Sequence, residues 1–465
     1  MPAVFPDALS EPYAQRAGDA QRGRQLLLDN GTADVPYMSC GVPEAVVKLA
    51  GLDRDWPSAL KIPDRRDQDL PYDSNYVVRP SGVKLVTTNC LFCHAAKLGG
   101  QLVIGLPDAN RDFTQADPLA GVSGATLRLA ARLLLDDDAE AELNRSLRVA
   151  DASAAFPRPN TIGINPADSL FGMLAMNRDP ITLEWRAEPD PLAGPIPKRI
   201  IFSDVPALWN THRRPHLFNT GFAHGDLARV MMTASLLCLE DRAEAEQIDA
   251  YFPDIRAYIH SLRAPKYEAF SGRPIDPALA NLGEAHFANL CRRCHGDKDG
   301  EGSAPLTFVA LSEVGTDPLY AQVTAVDNDL PEGQTINYFF GFFNRSWYGN
   351  EGAAGKLVRP LLPGYVPPPL DGVWATAPYF HNGSVPTLDA VLDPTLRPGI
   401  FARSFDPDQY DFERAGYPYE ERLAKFADPA VYDSTELGNS NQGHTFAASL
   451  SHSERAELLE YLKTF

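Results

Sequence analysis

Two short stretches of this chain could bond covalently to a cofactor. One reads Cys90-Leu91-Phe92-Cys93-His94 and the other Cys291-Arg292-Arg293-Cys294-His295. Each is CxxCH, the attachment signal for a c-type haem. Two thiols at this spacing reach the two vinyl groups of one porphyrin, and the adjacent imidazole reaches the iron from the same side. The alternative is a Cys₄ zinc site built from two CxxC knuckles. That site leaves both trailing histidines unexplained and joins knuckles far apart in the chain. The reading is therefore two covalently bound haems, with His94 and His295 as iron ligands. Such attachment takes place outside the cytoplasm, so the mature protein is expected in the periplasm or secreted. Met1-Pro2-Ala3-Val4-Phe5-Pro6-Asp7 has neither the basic nor the apolar region of a signal peptide. Either the signal peptide has been removed or the start is truncated. Cys40 and Cys238 remain: an export-compatible disulfide, or two buried thiols.

The opposite face of each iron decides function. A strong sixth ligand makes an electron carrier, and an open face makes a site for O₂ or peroxide. The six methionines are residues 1, 38, 173, 176, 231 and 232, and none follows the second motif. A methionine ligand from the C-terminal region is thereby excluded, and a six-coordinate site there needs His or Tyr. His381 lies in the turn His381-Asn382-Gly383, and His444 ends the Gly/Asn-rich loop Gly438–His444. His452 falls in the first turn of a final helix, facing solvent. Between the motifs stand Trp209, His212, His216, Phe218, Phe222 and His224. An aromatic wall keeps water out and leaves an iron open to O₂ or an apolar substrate. Trp209 could instead relay electrons between the haems, and ordinary core packing is the plain alternative for all the aromatics. Peroxide cleavage needs a distal acid or base, for which Glu184, Glu188, His212 and His224 are candidates.

The elements that must position these groups are mostly helical. Helices are expected over Pro12–Asn30, residues 124–148, Asp226–Leu239 and Glu244–Leu262, the last broken or kinked at Pro253. Residues 51–82 and 151–200 read as loop. Thr87-Thr88-Asn89 starts the helix of the first motif, and Gly99–Leu106 looks extended. Gly283, Phe287 and Leu290 lie on one face of a helix running into Cys291. Gly283 would let a second helix cross closely. Ser451–Phe465 supplies one, with a capping box of Ser451 and Glu454 and a face of Leu458, Leu462 and Phe465. The proline-rich stretch Ala264–Pro277 marks a boundary. The expected fold is mainly α: two cytochrome c-like haem domains, 1–264 and 265–465, with extensive loops and a few short β-strands.

The chain has 465 residues, a net charge of −19 and 44% hydrophobic residues. No apolar run approaches the ~18 residues of a membrane helix. The acidic balance argues against nucleic acid and suits a small basic redox partner.

The segment Gly372–Leu388, which holds Trp374, Tyr379, His381 and Asn382, resembles the signature stretch of di-haem cytochrome c peroxidases and MauG-type enzymes. Closer still is the resemblance to the di-haem rubber oxygenases. It rests on Asp204–Trp209, Gly225-Asp226 with Met231–Asp241, Gly438–His444, Glu454-Arg455, Tyr461–Thr464 and Ser39-Cys40-Gly41. The resemblance implies that His94 carries the active haem, with O₂ or peroxide on its far side. It implies that His295 and His444 ligate a second, low-spin haem that passes electrons. Trp209 would lie near the active haem and Phe218 or Phe222 over its distal face. Tyr379 would match the tyrosine of the MauG-type signature, and Ca²⁺ often lies between the domains. The activity implied is O₂-dependent cleavage of C=C bonds in an apolar, isoprenoid-like substrate. The alternatives are a peroxidase reducing H₂O₂ and a non-enzymatic electron carrier. The chain is shorter than the rubber oxygenases, and it lacks the methionine ligand of standard peroxidases.

Overall fold

The computed structural model describes residues 13–29, 34–56, 58–114, 128–129, 131–133, 135–154, 156–192, 196, 199–298, 308–326, 337–351 and 355–465. Helices dominate these residues, and the strands are short and antiparallel. The helices that matter here are α1 (Ala20–Asp29), α2 (Leu91–His94), α3 (Asp137–Ser153), α4 (Ala167–Met176) and α5 (Arg242–Ser261). They continue with α6 (Pro277–Leu290), α7 (Arg292–His295), α8 (Asn337–Arg345) and α9 (His452–Leu462). No helix among the described residues is long and apolar enough to cross a membrane.

Two helix crossings close the structure. α6 starts at Asp276, whose carboxylate accepts the Ala278 and Leu279 N–H groups, with Pro277 at the first helical position. α9 starts with the Ser451–Glu454 capping box. Where they cross, a Cβ on Gly283 would stand 2.0 Å from the Glu457 carbonyl oxygen. Phe287, Leu458, Leu462 and Phe465 are buried around the contact, the rings of Phe287 and Phe465 centred 5.0 Å apart. α1 and α5 repeat the arrangement in the first half, where a Cβ on Gly23 would stand 1.8 Å from the Asp254 carbonyl oxygen. Gly283→Val must push α6 and α9 apart. It is expected to cost about 3 kcal/mol, the upper range for overpacking. Denaturant unfolding measures this, and a loss below ~1 kcal/mol would show that the crossing does not need close approach.

Several expected elements are placed differently. The first helix begins at Ala20 rather than Pro12; residues 1–12 and 30 lie outside the described residues. Residues 13–19 stay out of the helix because their polar groups are used elsewhere. Arg16 pairs with Asp226 and Asp249 at 2.5 and 2.6 Å, and Gln15 donates to the Gly225 carbonyl. The helix expected over 124–148 is helical at residues 128–129 and 131–133 and, after a break at 135–136, again in α3, which runs on to 153. Asp136 caps it by accepting from Ala139 N–H, and Asp137, Asp138 and Glu140 favour its positive end. Leu129 and Leu133 are exposed, and Leu127 and Leu134 lie outside the described residues. The stretch 151–200 contains α4, whose Met173, Leu174, Ala175 and Met176 are all buried. A helix apolar on every side has no period to read. The stretch 51–82 holds the strand Ser74–Val78, paired with Lys84–Thr88. The extended stretch Gly99–Leu106 is half of a hairpin, Ala95–Leu98 with Gln101–Ile104. Asp226–Leu239 is a short α-helix continued by a 3₁₀ turn, and α5 runs unbroken through Pro253.

Packing crosses the expected boundary at 264/265 in both directions. One apolar core joins Leu26, Leu91, Phe222 and Phe252 to Phe339, Phe340 and Phe343 of α8. The other joins Ala96, Leu98, Val103 and Trp209 to Phe287, Trp374 and Leu458. Of the two alternatives for Cys40 and Cys238, the structure has the disulfide, with Cα atoms 4.9 Å apart and a sequence separation of 198. Loops of this length give about 5 kcal/mol in the chain-entropy account, near the top of the observed range. Cys40→Ser with Cys238→Ser should therefore lower the unfolding free energy by roughly 2–5 kcal/mol. Reductant should do the same to the native chain. An unfolding midpoint indifferent to reductant would refute this.

Candidate functional site

The second motif opens on a cavity. α6 delivers Cys291, whose N–H closes the helix on the Phe287 carbonyl, and α7 carries the chain through to His295. The His295 Nδ1 lies 2.7 Å from the Pro368 carbonyl oxygen. A carbonyl can only accept, so Nδ1 carries the proton and Nε2 keeps its lone pair for a metal. Cys291, Cys294, His295 and His444 line one cavity of about 280 Å³, with apolar walls that include Leu290, Leu388 and Leu462. The His295 and His444 rings are centred 6.2 Å apart. A metal–imidazole bond is about 2.0 Å and the ring centre lies about 1.1 Å behind its nitrogen, so two imidazoles sharing one metal have centres roughly 6 Å apart. The pair fits one iron between them. Burial lowers both pKa values; for His444, burial with the nearby His295 and Arg397 lowers it to about 3. Both rings are thus neutral, as metal ligands must be.

His444 is held in an unusual backbone conformation, φ +47°, which a non-glycine residue adopts only under constraint. The constraints are visible. The His444 N–H donates to the Val314 carbonyl at 2.6 Å. Arg397 donates to the Asn441 and Gly443 carbonyls at 2.8 and 2.7 Å. The Asn382 amide donates to the carbonyls of Gly438 and Ser440, and the Ser384 hydroxyl to that of Ser440. The segment around His381 is thus the clamp for the loop that ends at His444. Arg397 was not among the sequence candidates: its partners are carbonyls, and nothing in residue type marks them.

The first motif is built in parallel. The Asn89 side chain accepts from Leu91 N–H at 2.9 Å, starting α2. The His94 Nδ1 lies 3.1 Å from the Pro206 carbonyl oxygen, so its Nε2 is likewise free. Burial pushes its pKa down to about 4. Cys90 packs against the core that contains Leu91 and Phe222. Phe218 and Phe222 stack with centres 4.4 Å apart at 15°, and Phe222 meets Phe340 at 5.0 Å. Phe218 also has a positive φ, +67°, and Arg214 holds its carbonyl at 2.8 Å. His216 and His224 lie with ring centres 4.0 Å apart. Burial first, then Arg214 for His216 and His216 for His224, pushes them down to about 4 and 3. Glu184, Glu188, His212 and His452 are exposed and join neither group.

The segment from Asp204 to Arg214 connects the two motifs. Its Pro206 serves His94, and Leu208 N–H donates to the Gly105 carbonyl. Trp209 is 1% exposed, and its indole N–H donates to the Asp371 carbonyl at 2.8 Å. Gly105 and Gly372, both at positive φ, flank the ring; a Cβ on either would come within 3.2 and 3.0 Å of it. Asn210 donates to the Pro369 carbonyl, next to the Pro368 that holds His295. The Tyr379 hydroxyl donates to the carbonyls of Val373 and Ala415, at 3.0 and 2.9 Å. His381 stacks on Tyr365 at 4.6 Å, with its Nε2 3.2 Å from the Tyr365 hydroxyl. Among the described residues no three His, Cys, Asp or Glu side chains gather as a metal-binding group.

Residues 364–402 match a family model described as RoxA-like, cytochrome c-like. Two uncharacterised proteins of Sinorhizobium fredii are similar. One, y4iJ, is 29% identical over 314 residues, covering 54% of this chain and 51% of that protein. The other, y4iM, is 29% identical over 273 residues, covering 54% and 58%. The chain thus spans about half the length of the curated relatives it matches. Among solved structures, a MauG-like protein associated with microbial copper homeostasis aligns at 17% identity and a TM-score of 0.29, covering 67% of this chain and 93% of that one. So low a score carries no argument. The matched stretch holds Pro368, Asn382 and Arg397, the residues that orient His295 and clamp the loop of His444. That stretch is cytochrome c-like, and it points to a haem-dependent oxidoreductase.

Proposed function

We propose that this chain is an exported oxidoreductase with two covalently held c-type haems, one per CxxCH motif. In this reading O₂ is activated at the first motif to cleave C=C bonds of an apolar, isoprenoid-like substrate. The observation that carries it is the difference between the two sites. His295 faces a second imidazole at the spacing of a shared iron, whereas the core against which Cys90 packs is built of Phe, Tyr, Trp and aliphatic side chains, with the Phe218–Phe222 stack packed against it. When bound, haem supplies the redox chemistry of iron and, on a face without a strong ligand, a place for O₂ or peroxide.

The chain supplies the rest. Cys90, Cys93 and His94 hold one group; Cys291, Cys294, His295 and His444 hold the other. Pro206 and Pro368 fix the tautomer and direction of the two proximal rings. Phe218 and Phe222 exclude water and favour an apolar substrate. Trp209 and Asn210 bring the Pro206 segment within one residue of Pro368, a short route for electrons between the sites. The net charge of −19 suits docking of a small basic redox protein.

A peroxidase is the second reading. The neutral His216–His224 pair, buried near Phe218, favours it as a proton acceptor for H₂O₂. The test begins with EPR of the oxidised protein, with and without cyanide. One high-spin iron that binds cyanide and one low-spin iron that ignores it are expected. Oxygen uptake with isoprenoid alkenes, without turnover of H₂O₂, then supports the oxygenase. H₂O₂ turnover without oxygen uptake replaces it with the peroxidase. Two low-spin irons that refuse cyanide in both oxidation states would leave a carrier and end both enzyme readings.

A further inference from the structure

A second cavity, of about 1080 Å³, lies apart from both CxxCH motifs. It forms where the residues following α5 meet the start of α6 and the end of α9, against Asp371. Its floor is aromatic: Trp209, Tyr267 and Phe465, all nearly buried. Its rim is cationic. Arg213, Arg263, Lys266, Lys298 and Lys463 line it, against, among the described residues, the carboxylates of Glu268 and Asp371. On a chain of net charge −19 this is a local inversion of sign.

Two of the cations are already paired: Arg213 with Asp371 at 2.5 Å and Lys463 with Glu460 at 2.9 Å. Arg263 and Lys266 are exposed, and Arg263 donates only to main-chain carbonyls. Neither has a carboxylate of the described residues at ion-pair distance. An apolar floor with a few convergent charges, at the junction of two halves of a chain, is the usual form of a small-molecule site. The volume is that of such a site and far exceeds what a single inorganic anion would need.

We infer that this groove binds an organic anion, with a flat apolar body on the aromatic floor and an acidic group facing Arg263 and Lys266. The inference does not depend on either haem reading, because no residue of the CxxCH motifs takes part.

The experiment is calorimetric titration of the holoprotein with 8-anilinonaphthalene-1-sulfonate, which has a flat aromatic body and one fixed negative charge. One saturable site is expected, weakened by salt because the charges are exposed. The neutral analogue N-phenyl-1-naphthylamine should bind at least about ten-fold more weakly. The double variant R263E/K266E should lose at least about ten-fold in sulfonate affinity. N281W, at an exposed position lining the groove, should block it by volume alone. All three substituted positions are on the surface, and an unchanged haem spectrum checks that each variant folds. Equal affinity in R263E/K266E and the native chain overturns the inference. So does equal affinity for the two probes, or undiminished binding to N281W.

Discussion

In the two-haem reading proposed above, replacing His444 by alanine is expected to turn the second haem from low-spin to high-spin and to leave the first unchanged. His295 has its Nδ1 committed to Pro368 and its Nε2 directed into the cavity that His444 also lines. The ring spacing of 6.2 Å fits a shared iron, and no methionine follows Cys291 that could take over. Removing the imidazole leaves water or nothing on that face, a weaker field and a higher-spin iron. Alanine at φ +47° adds backbone strain of its own, so His444→Gly is the cleaner partner variant. It removes the ligand and the strain together, and its spectrum should shift in the same way. Imidazole added to either variant should restore the low-spin signal. EPR and the Soret band report all of this. An unmoved spectrum in both variants would mean that His444 is not the ligand.

The second large effect is on cofactor content. Cys291→Ser with Cys294→Ser should reduce iron and covalent haem from two per chain to one, by metal analysis and by haem stain of the denatured protein. The remaining haem should keep the spectrum of the first site. The empty apolar cavity left behind should also cost stability. At ~24 cal/mol per Å³ of unfilled space the cavity of about 280 Å³ corresponds to a loss of about 7 kcal/mol. Two irons per chain in this variant, or zinc in the native chain, would refute the haem reading of the motif.

Residue types that could carry chemistry are far more legible in the sequence than the groups that aim them. Thioether attachment requires particular side chains at a fixed spacing, so Cys90–His94 and Cys291–His295 stand out. The α6–α9 crossing is legible for a similar reason: both helices are capped and amphipathic, and Gly283 interrupts one face. The equivalent α1–α5 crossing is hidden, because Gly23 lies between Arg22 and Arg24, with no apolar face through it to read. The aiming residues are hidden more deeply. Pro206 and Pro368 act through carbonyl oxygens, which every residue has. Arg397 likewise acts on carbonyls, forty-odd residues away in the chain (roughly the reach of a non-local loop closure). The place of Trp209 between Gly105 and Gly372 depends on three distant segments meeting. Buried α4 leaves no alternation in its residues, and the start of α3 is set by its acidic cap at Asp136.

The interleaving of the two cores has a consequence for the order in which the molecule can be made. Phe339, Phe340 and Phe343 of α8 complete the core around Leu91, and α8 follows the second CxxCH motif. While the chain emerges from N to C terminus, the core around Leu91 cannot be completed until α8 has emerged. The second waits for α9. In the two-haem reading proposed above, both pairs of thiols would therefore stay within reach of an attachment machinery until the later helices have emerged. Interrupting synthesis after residue 264 should yield a haem-bearing but protease-sensitive fragment rather than a stable first domain.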